Sequence, residues 1–185
     1  SILIRMVLAV KLERGAKVTL ISGPTSLTAP ANVELIKVQS AAEMFYAVKE
    51  HYQKADCLIF SAAVSDYSPK SKANQKIKKK SDALQIELTP TQDILKFVGE
   101  HKKENQFLVG FALETENEVE NAQGKLQRKN LDLIVLNSLQ DQGAGFGYDS
   151  NKVTIIDADN NQEEFELKSK AEVAQDILNA VESRW

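Results

Sequence analysis

Hydrophobic positions along the chain fall into two alternating rhythms. Short β-branched or wholly apolar runs at 17–21, 34–38, 56–60, 83–88, 107–111 and 131–136 read as strands. The run at 56–60 has the unbroken apolarity of a strand covered on both faces. Between these runs the apolar spacing lengthens to three and four. Ser40 and Glu43 form a capping-box pattern ahead of Met44 and Val48. Residues 91–103 carry Ile94, Leu95 and Val98 on one side, and Asn117 with Glu120 opens a helix reaching about residue 130. Ser169 and Glu172 open a last helix whose inner stripe is Val173, Ile177, Leu178 and Val181. Residues 1–10, apolar with one Arg, read as the truncated edge of a helix.

Repeated strand–helix–strand order predicts an α/β fold: a doubly wound, mostly parallel, Rossmann-like sheet with helices on both faces. Two closing strands, at 152–156 and 163–167, predict a C-terminal β-hairpin, expected to extend from the sheet as a dimerisation element. Residues 65–81 break the rhythm and read as one long polar loop. No repeat or Pro/Gly linker divides the chain, so residues 1–185 read as a single domain.

Composition narrows the class. With 43% hydrophobic and 26% charged residues, the 185-residue chain is of ordinary globular type. Its single cysteine, Cys57, forms no internal disulfide, and with two separated histidines it excludes a Cys/His zinc site. The longest apolar run is far short of a membrane span, and the start lacks the marks of a secretory signal. The expected location is the cytoplasm, with no membrane partner.

In open α/β sheets ligands bind beyond the carboxyl ends of the strands. The segments there are Ser22-Gly23-Pro24, Ser61 to Tyr67, Ala112-Leu113-Glu114-Thr115 and Asn137-Ser138. Their small residues admit close backbone approach, though tight turns favour the same types. The 65–81 loop adds charge: Lys70, Lys72, Lys76, Lys78, Lys79 and Lys80, with no acid among them, in a chain of net charge −3. Such a field suits a polyanion such as a triphosphate. From charge alone a solvated charge run or a nucleic-acid patch explains it more readily, but nucleic acid is disfavoured because no aromatic residue lies between the lysines. Lys125 and Lys129 share a helical face, and Asp66 stands beside the basic loop. Gly143, Gly145 and Gly147 imitate a dinucleotide fingerprint but lead into a strand, with the wrong final spacing.

These segments, with Lys76-Ile77-Lys78, Asp93-Ile94-Leu95, Gly110 to Thr115, Lys125-x-x-x-Lys129-Asn130-x-Asp132 and Asn151 to Thr154, occur in an order that resembles the phosphopantothenoylcysteine synthetases. The likeness is to the bacterial CTP-dependent form, the synthetase domain of a bifunctional coenzyme A biosynthesis protein, from about Gly15 onward. It implies a ligase joining 4′-phosphopantothenate to L-cysteine. CTP would be cleaved to CMP and pyrophosphate through an acyl-cytidylate, with Mg²⁺ beside CTP. It also implies a homodimer, and fusion to or association with a flavin-dependent phosphopantothenoylcysteine decarboxylase.

Carried onto this chain, the resemblance makes Lys76 the catalytic contact on the phosphates. Phe60, Ser61, Ala62, Asp66, Lys76, Asp93, Ile94, Leu95, Phe111, Lys125 and Lys129 bind the nucleotide, with Phe111 against the base. Ala63 and Asp66 meet the substrate, and no metal ligand is assigned. The resemblance leads to the expectation that residues 1–185 lack the family's N-terminal strand and Asn-containing segment, and Thr91-Gln92 stands where the family has Asn-Pro. Two further classes remain open: a non-catalytic nucleotide-binding module and a dinucleotide-dependent oxidoreductase. NAD(P) binding would separate the latter.

Overall fold

The computed structural model describes residues 2–71, 75–78, 84–138 and 149–185. Lys72, Lys79 and Lys80 of the basic run and the Gly143–Gly147 loop lie outside them. The elements in chain order begin with α1 (Ile2–Glu13), β1 (Thr19–Ser22), β2 (Glu34–Lys37), α2 (Ala41–His51) and β3 (Cys57–Phe60). Next come β4 (Tyr67–Pro69), β5 (Leu88–Pro90), α3 (Ile94–His101), β6 (Phe107–Glu114), α4 (Glu118–Arg128) and β7 (Leu133–Ser138). The chain ends with β8 (Ser150–Asn151), β9 (Val153–Asp157), β10 (Gln162–Glu164), β11 (Lys168–Ser169) and α5 (Lys170–Arg184).

The central sheet has the order β10-β9-β7-β6-β3. Strands β3, β6 and β7 are parallel, β9 runs antiparallel to β7, and β10 turns back antiparallel to β9. Alternation along each strand divides the core into two layers. Phe107, Val109, Leu133, Val135, Val153 and Ile155 face α1 and α5. Leu108, Ala112, Ile134, Leu136 and Ile156 face α2, α3 and α4. The fold is therefore mixed α/β and Rossmann-like, with helices on both faces.

Local signals account for most of the elements. Ser169 and Glu172 form the reciprocal capping box, and all four stripe residues of α5 are fully buried. Arg14 fastens α1 to α5 by donating to Glu182, Gln175 and Asn179 at 2.7, 2.6 and 2.8 Å. Ser40 caps α2 by accepting from the Glu43 N–H. Asn117 stands at the N-cap of α4 but adopts φ 46° and makes no side-chain cap. Its short polar side chain tolerates that left-handed turn.

Two segments differ from the pattern read along the chain. The 65–81 stretch contains β4, and the strand expected at 83–88 is β5, at 88–90, paired antiparallel with β4. Three-residue strands are too short to show a period of two. Their ribbon is closed by the Lys70 N–H on the Glu87 carbonyl and the Thr91 N–H on the Asp66 carbonyl. The closing hairpin does not extend away: β9 lies against β7, with Val153, Ile155 and Ile156 buried. Burial of that face leaves it unavailable as a projecting dimer element.

Candidate functional site

The carboxyl end of β3 lies beside the middle of β6, with Phe60 opposite Gly110, and β6 runs on past it to Glu114. Gly110 is the close-approach position here. A Cβ on it would stand 2.6 Å from Leu131 Cδ1 and 3.5 Å from Leu95 Cδ2. Leucines of α3 and of the turn after α4 thus press directly onto the strand. Ser61, Ala62 and Ala63 continue from β3 with two exposed small side chains. Thr91 anchors this segment, its hydroxyl donating to the Ser65 carbonyl at 2.6 Å and its N–H to Asp66 at 2.8 Å.

α3 and α4 bring charge to this edge. Asp93 caps α3, with Oδ1 accepting from the Lys96 N–H at 2.9 Å and Oδ2 paired with the Lys129 ammonium. Burial pushes the Asp93 carboxyl up, but those N–H donors outweigh it and hold it below the ordinary carboxylate value. α4 buries Ala122 and Leu126 and carries Glu118 and Glu120 in its first turn and Lys125 and Arg128 in its last, matching the helix dipole. Lys125 donates to the Phe111 carbonyl at 2.8 Å. Burial holds its ammonium pKa below the usual lysine value, with Glu114 opposing and Lys129 reinforcing that shift.

The structure therefore gathers Phe60, Asp93, Leu95, Lys125 and Lys129 at one corner, with Ile94 buried beneath them. Asp66 acts on Lys125 through its field. The Phe111 ring packs on the opposite face, against the α1–α5 layer, so its carbonyl and not its ring meets Lys125. Lys76 is exposed, and no hydrogen bond or ion pair joins it to this corner among the described residues. Sequence reasoning met Thr91 and Glu114 in its motifs but gave them no site role, and it missed Gly99. A glycine inside the helical pattern of 91–103 was the available signal for Gly99. Among the described residues no three His, Cys, Asp or Glu side chains converge to hold a metal ion.

The family model described as DNA/pantothenate metabolism flavoprotein C-terminal domain matches residues 6–184. A cysteine/cysteine sulfinic acid decarboxylase from an unknown prokaryotic organism is 51% identical over 168 residues, 90% of this chain and 47% of that protein. The coenzyme A biosynthesis bifunctional protein CoaBC of Bacillus subtilis is 48% identical over 170 residues, 91% of this chain and 42% of that one. A crystal structure of the C-terminal domain of CoaBC superposes with a TM-score of 0.80 at 42% identity, covering 97% of this chain and 81% of that one. The chain spans about half the length of the curated relatives it matches.

These comparisons correct what the resemblance implied. The family is described as a flavoprotein and the first of these relatives is named a decarboxylase. Membership of the synthetases, the CTP-dependent ligation of 4′-phosphopantothenate and L-cysteine, and Mg²⁺ with CTP are accordingly withdrawn. The nucleotide-binding module and the oxidoreductase fit no better. The physical reason lies in the motifs themselves. Small strand-end residues and lysines define an anion-friendly edge, and a positive field attracts any polyanion without selecting a reaction. Lys125 and Lys129, expected on the nucleotide, are held by the Phe111 carbonyl and by Asp93.

The family description implies a flavin, and the residues of this corner do not fit one. Carboxylates and ammonium groups alternate here: Glu114, Asp93 and Asp66 all act on Lys125, and Asp93 pairs with Lys129. The α3 N-terminus is filled by its own Asp93. An isoalloxazine ring requires an apolar slot, which a corner of alternating charge does not offer.

Proposed function

We propose, from the premise that the chain belongs to the DNA/pantothenate metabolism flavoprotein C-terminal domain family, that it serves coenzyme A biosynthesis as one domain of a longer bifunctional protein in the cytoplasm. In that protein, decarboxylation is the companion chemistry. This domain binds a phosphate ester of pantothenate metabolism at the carboxyl edge of β3 and β6. The observation that carries the reading is the Lys125–Lys129–Asp93 corner beside the small residues Ser61, Ala62 and Ala63. A phosphate would take the lysines' free N–H donors as a charge-assisted partner. Asp66 orients the polar remainder of the ligand, and Lys76 closes from its exposed segment.

A second copy of the chain is the partner in this reading. Tyr67 and Leu88 on the β4–β5 ribbon are 59% and 53% exposed, and Ile86 beside them 58%. A two-stranded ribbon is marginal alone and gains from pairing along its edge.

Calorimetric titration with 4′-phosphopantothenoylcysteine, FMN and CTP, each separately, tests the reading. The phosphate ester is expected to bind, and Lys129→Gln to weaken it by about tenfold, the worth of one charge-assisted hydrogen bond. FMN or CTP binding more tightly than the ester would contradict the assignment.

A further inference from the structure

α3 is fastened to the end of α4 at two places, and one residue makes both contacts. At its start, Asp93 is paired with the Lys129 ammonium. At its far end, Gly99 lies against the Lys129 backbone. A Cβ on Gly99 would fall far inside contact with the Lys129 carbonyl oxygen and 2.8 Å from the carbonyl carbon. The two points are six residues apart, about 9 Å along a helix, so Lys129 runs beside most of α3. Asn130 completes the clasp. It takes φ 50°, turning the chain out of α4, and its Nδ2 donates to the Gly99 carbonyl at 2.8 Å.

We infer that Gly99 is a positioning residue for the candidate site: its missing side chain lets the Lys129 backbone dock on α3, which sets the Lys129 ammonium against Asp93. This rests on the ligand site proposed above but concerns its assembly rather than its occupant. An alanine at 99 meets backbone, which cannot rotate away. α3 and α4 must then part by on the order of 1–2 Å, since non-bonded carbons settle at 3.5–4.0 Å. Gly99 is itself buried, so no outward tilt of the new methyl relieves the contact. The Asp93–Lys129 pair is side chain to side chain and fails first. The charged groups acting on Asp93 are Lys129, Lys96 and, through its field, Lys125; only Lys129 belongs to the clasp.

The test is a double-mutant cycle read by NMR titration of the Asp93 carboxyl, without any ligand. Gly99→Ala and Lys129→Met are each expected to move the Asp93 midpoint up toward the ordinary value of about 3.9. Together they should move it no further than Lys129→Met alone, because both remove one contact. A loss of packing without positioning would give additive shifts. If Gly99→Ala loses its cooperative thermal transition, Asn130→Gly takes its place in the cycle, since glycine keeps the left-handed turn and removes only the amide donor. An unchanged Asp93 midpoint in the folded clasp variant, or additive shifts, overturns the inference. Because the readout needs no ligand, a negative titration with the phosphate ester leaves it standing, and a negative cycle leaves the binding reading standing.

Discussion

The Lys125 ammonium donates to the Phe111 carbonyl across 2.8 Å, binding the last turn of α4 to the strand that ends in the site. It is a partly desolvated charge held mainly by backbone, which leaves donors available to an anionic ligand. Lys125→Met keeps the aliphatic stem and removes the charge. Its expected result is a loss of phosphate-ester affinity of about tenfold. The thermal midpoint should fall by no more than about 4 °C, the scale of a ~1 kcal/mol change in a domain of this size. Equal affinity for wild type and variant would remove Lys125 from the binding surface.

Acid should weaken the fold through its depressed carboxylates, Asp93, Asp157 and the capping Glu172. Burial pushes both Asp93 and Asp157 up, but hydrogen bonds outweigh it, from Lys129 and the Lys96 N–H for Asp93 and from Asn161 and Arg184 for Asp157. A carboxyl depressed in the folded state contributes stability that is fully present above its unfolded pKa, about 3.9, and lost as pH falls through the folded value. Urea midpoints should therefore be flat above about pH 5 and decline below pH 4. Asp157→Asn should make that decline shallower. An acid limb of unchanged slope in this variant would show that the Asp157 carboxyl carries no linkage.

Cys57 offers a probe of local opening. Burial pushes its thiol up to about 11, with Lys11 opposing and Asp132 and Asp56 reinforcing. The thiolate is the reactive form. A thiol reagent at pH 8 should thus label the native protein slowly and the urea-unfolded chain at the rate of a free cysteine. Fast native labelling would mean that β3 opens locally.

Leu88 tests the second copy. Leu88→Glu places a charge at a position that is 53% exposed, so folding should be unaffected. Light scattering at micromolar concentration should report a dimer for wild type and a monomer for the variant. A wild-type monomer contradicts the pairing.

The sequence carried the scaffold well where one local signal decided the outcome. The Ser169–Glu172 box and the Val173–Val181 stripe became α5 as read. The apolar run ending at Phe60 became a strand of the central sheet. It failed where the determinant is a long-range pairing of short pieces. β4 and β5 are three residues each, and their partnership spans the basic segment. At the site, spacing placed Lys125 and Lys129 on one helical face but not what they hold. Asp93 reaches Lys129 only because α3 docks at Gly99, a tertiary contact with no local trace beyond the glycine itself. The reaction class was least legible, since charge and small residues define where an anion can sit and not what is done to it.

The central claim, that the carboxyl edge of β3 and β6 is the ligand site, is tested most directly by amide chemical-shift mapping. The chain is titrated with 4′-phosphopantothenoylcysteine at neutral pH. The account predicts saturable shifts clustered on Ser61, Ala62, Asp93, Ala112, Lys125 and Lys129, with Lys129→Gln moving their midpoint to about tenfold higher ligand concentration. Shifts confined to the groove lined by Met6, Val10 and Gln175 between α1 and α5, or none at all, would contradict it.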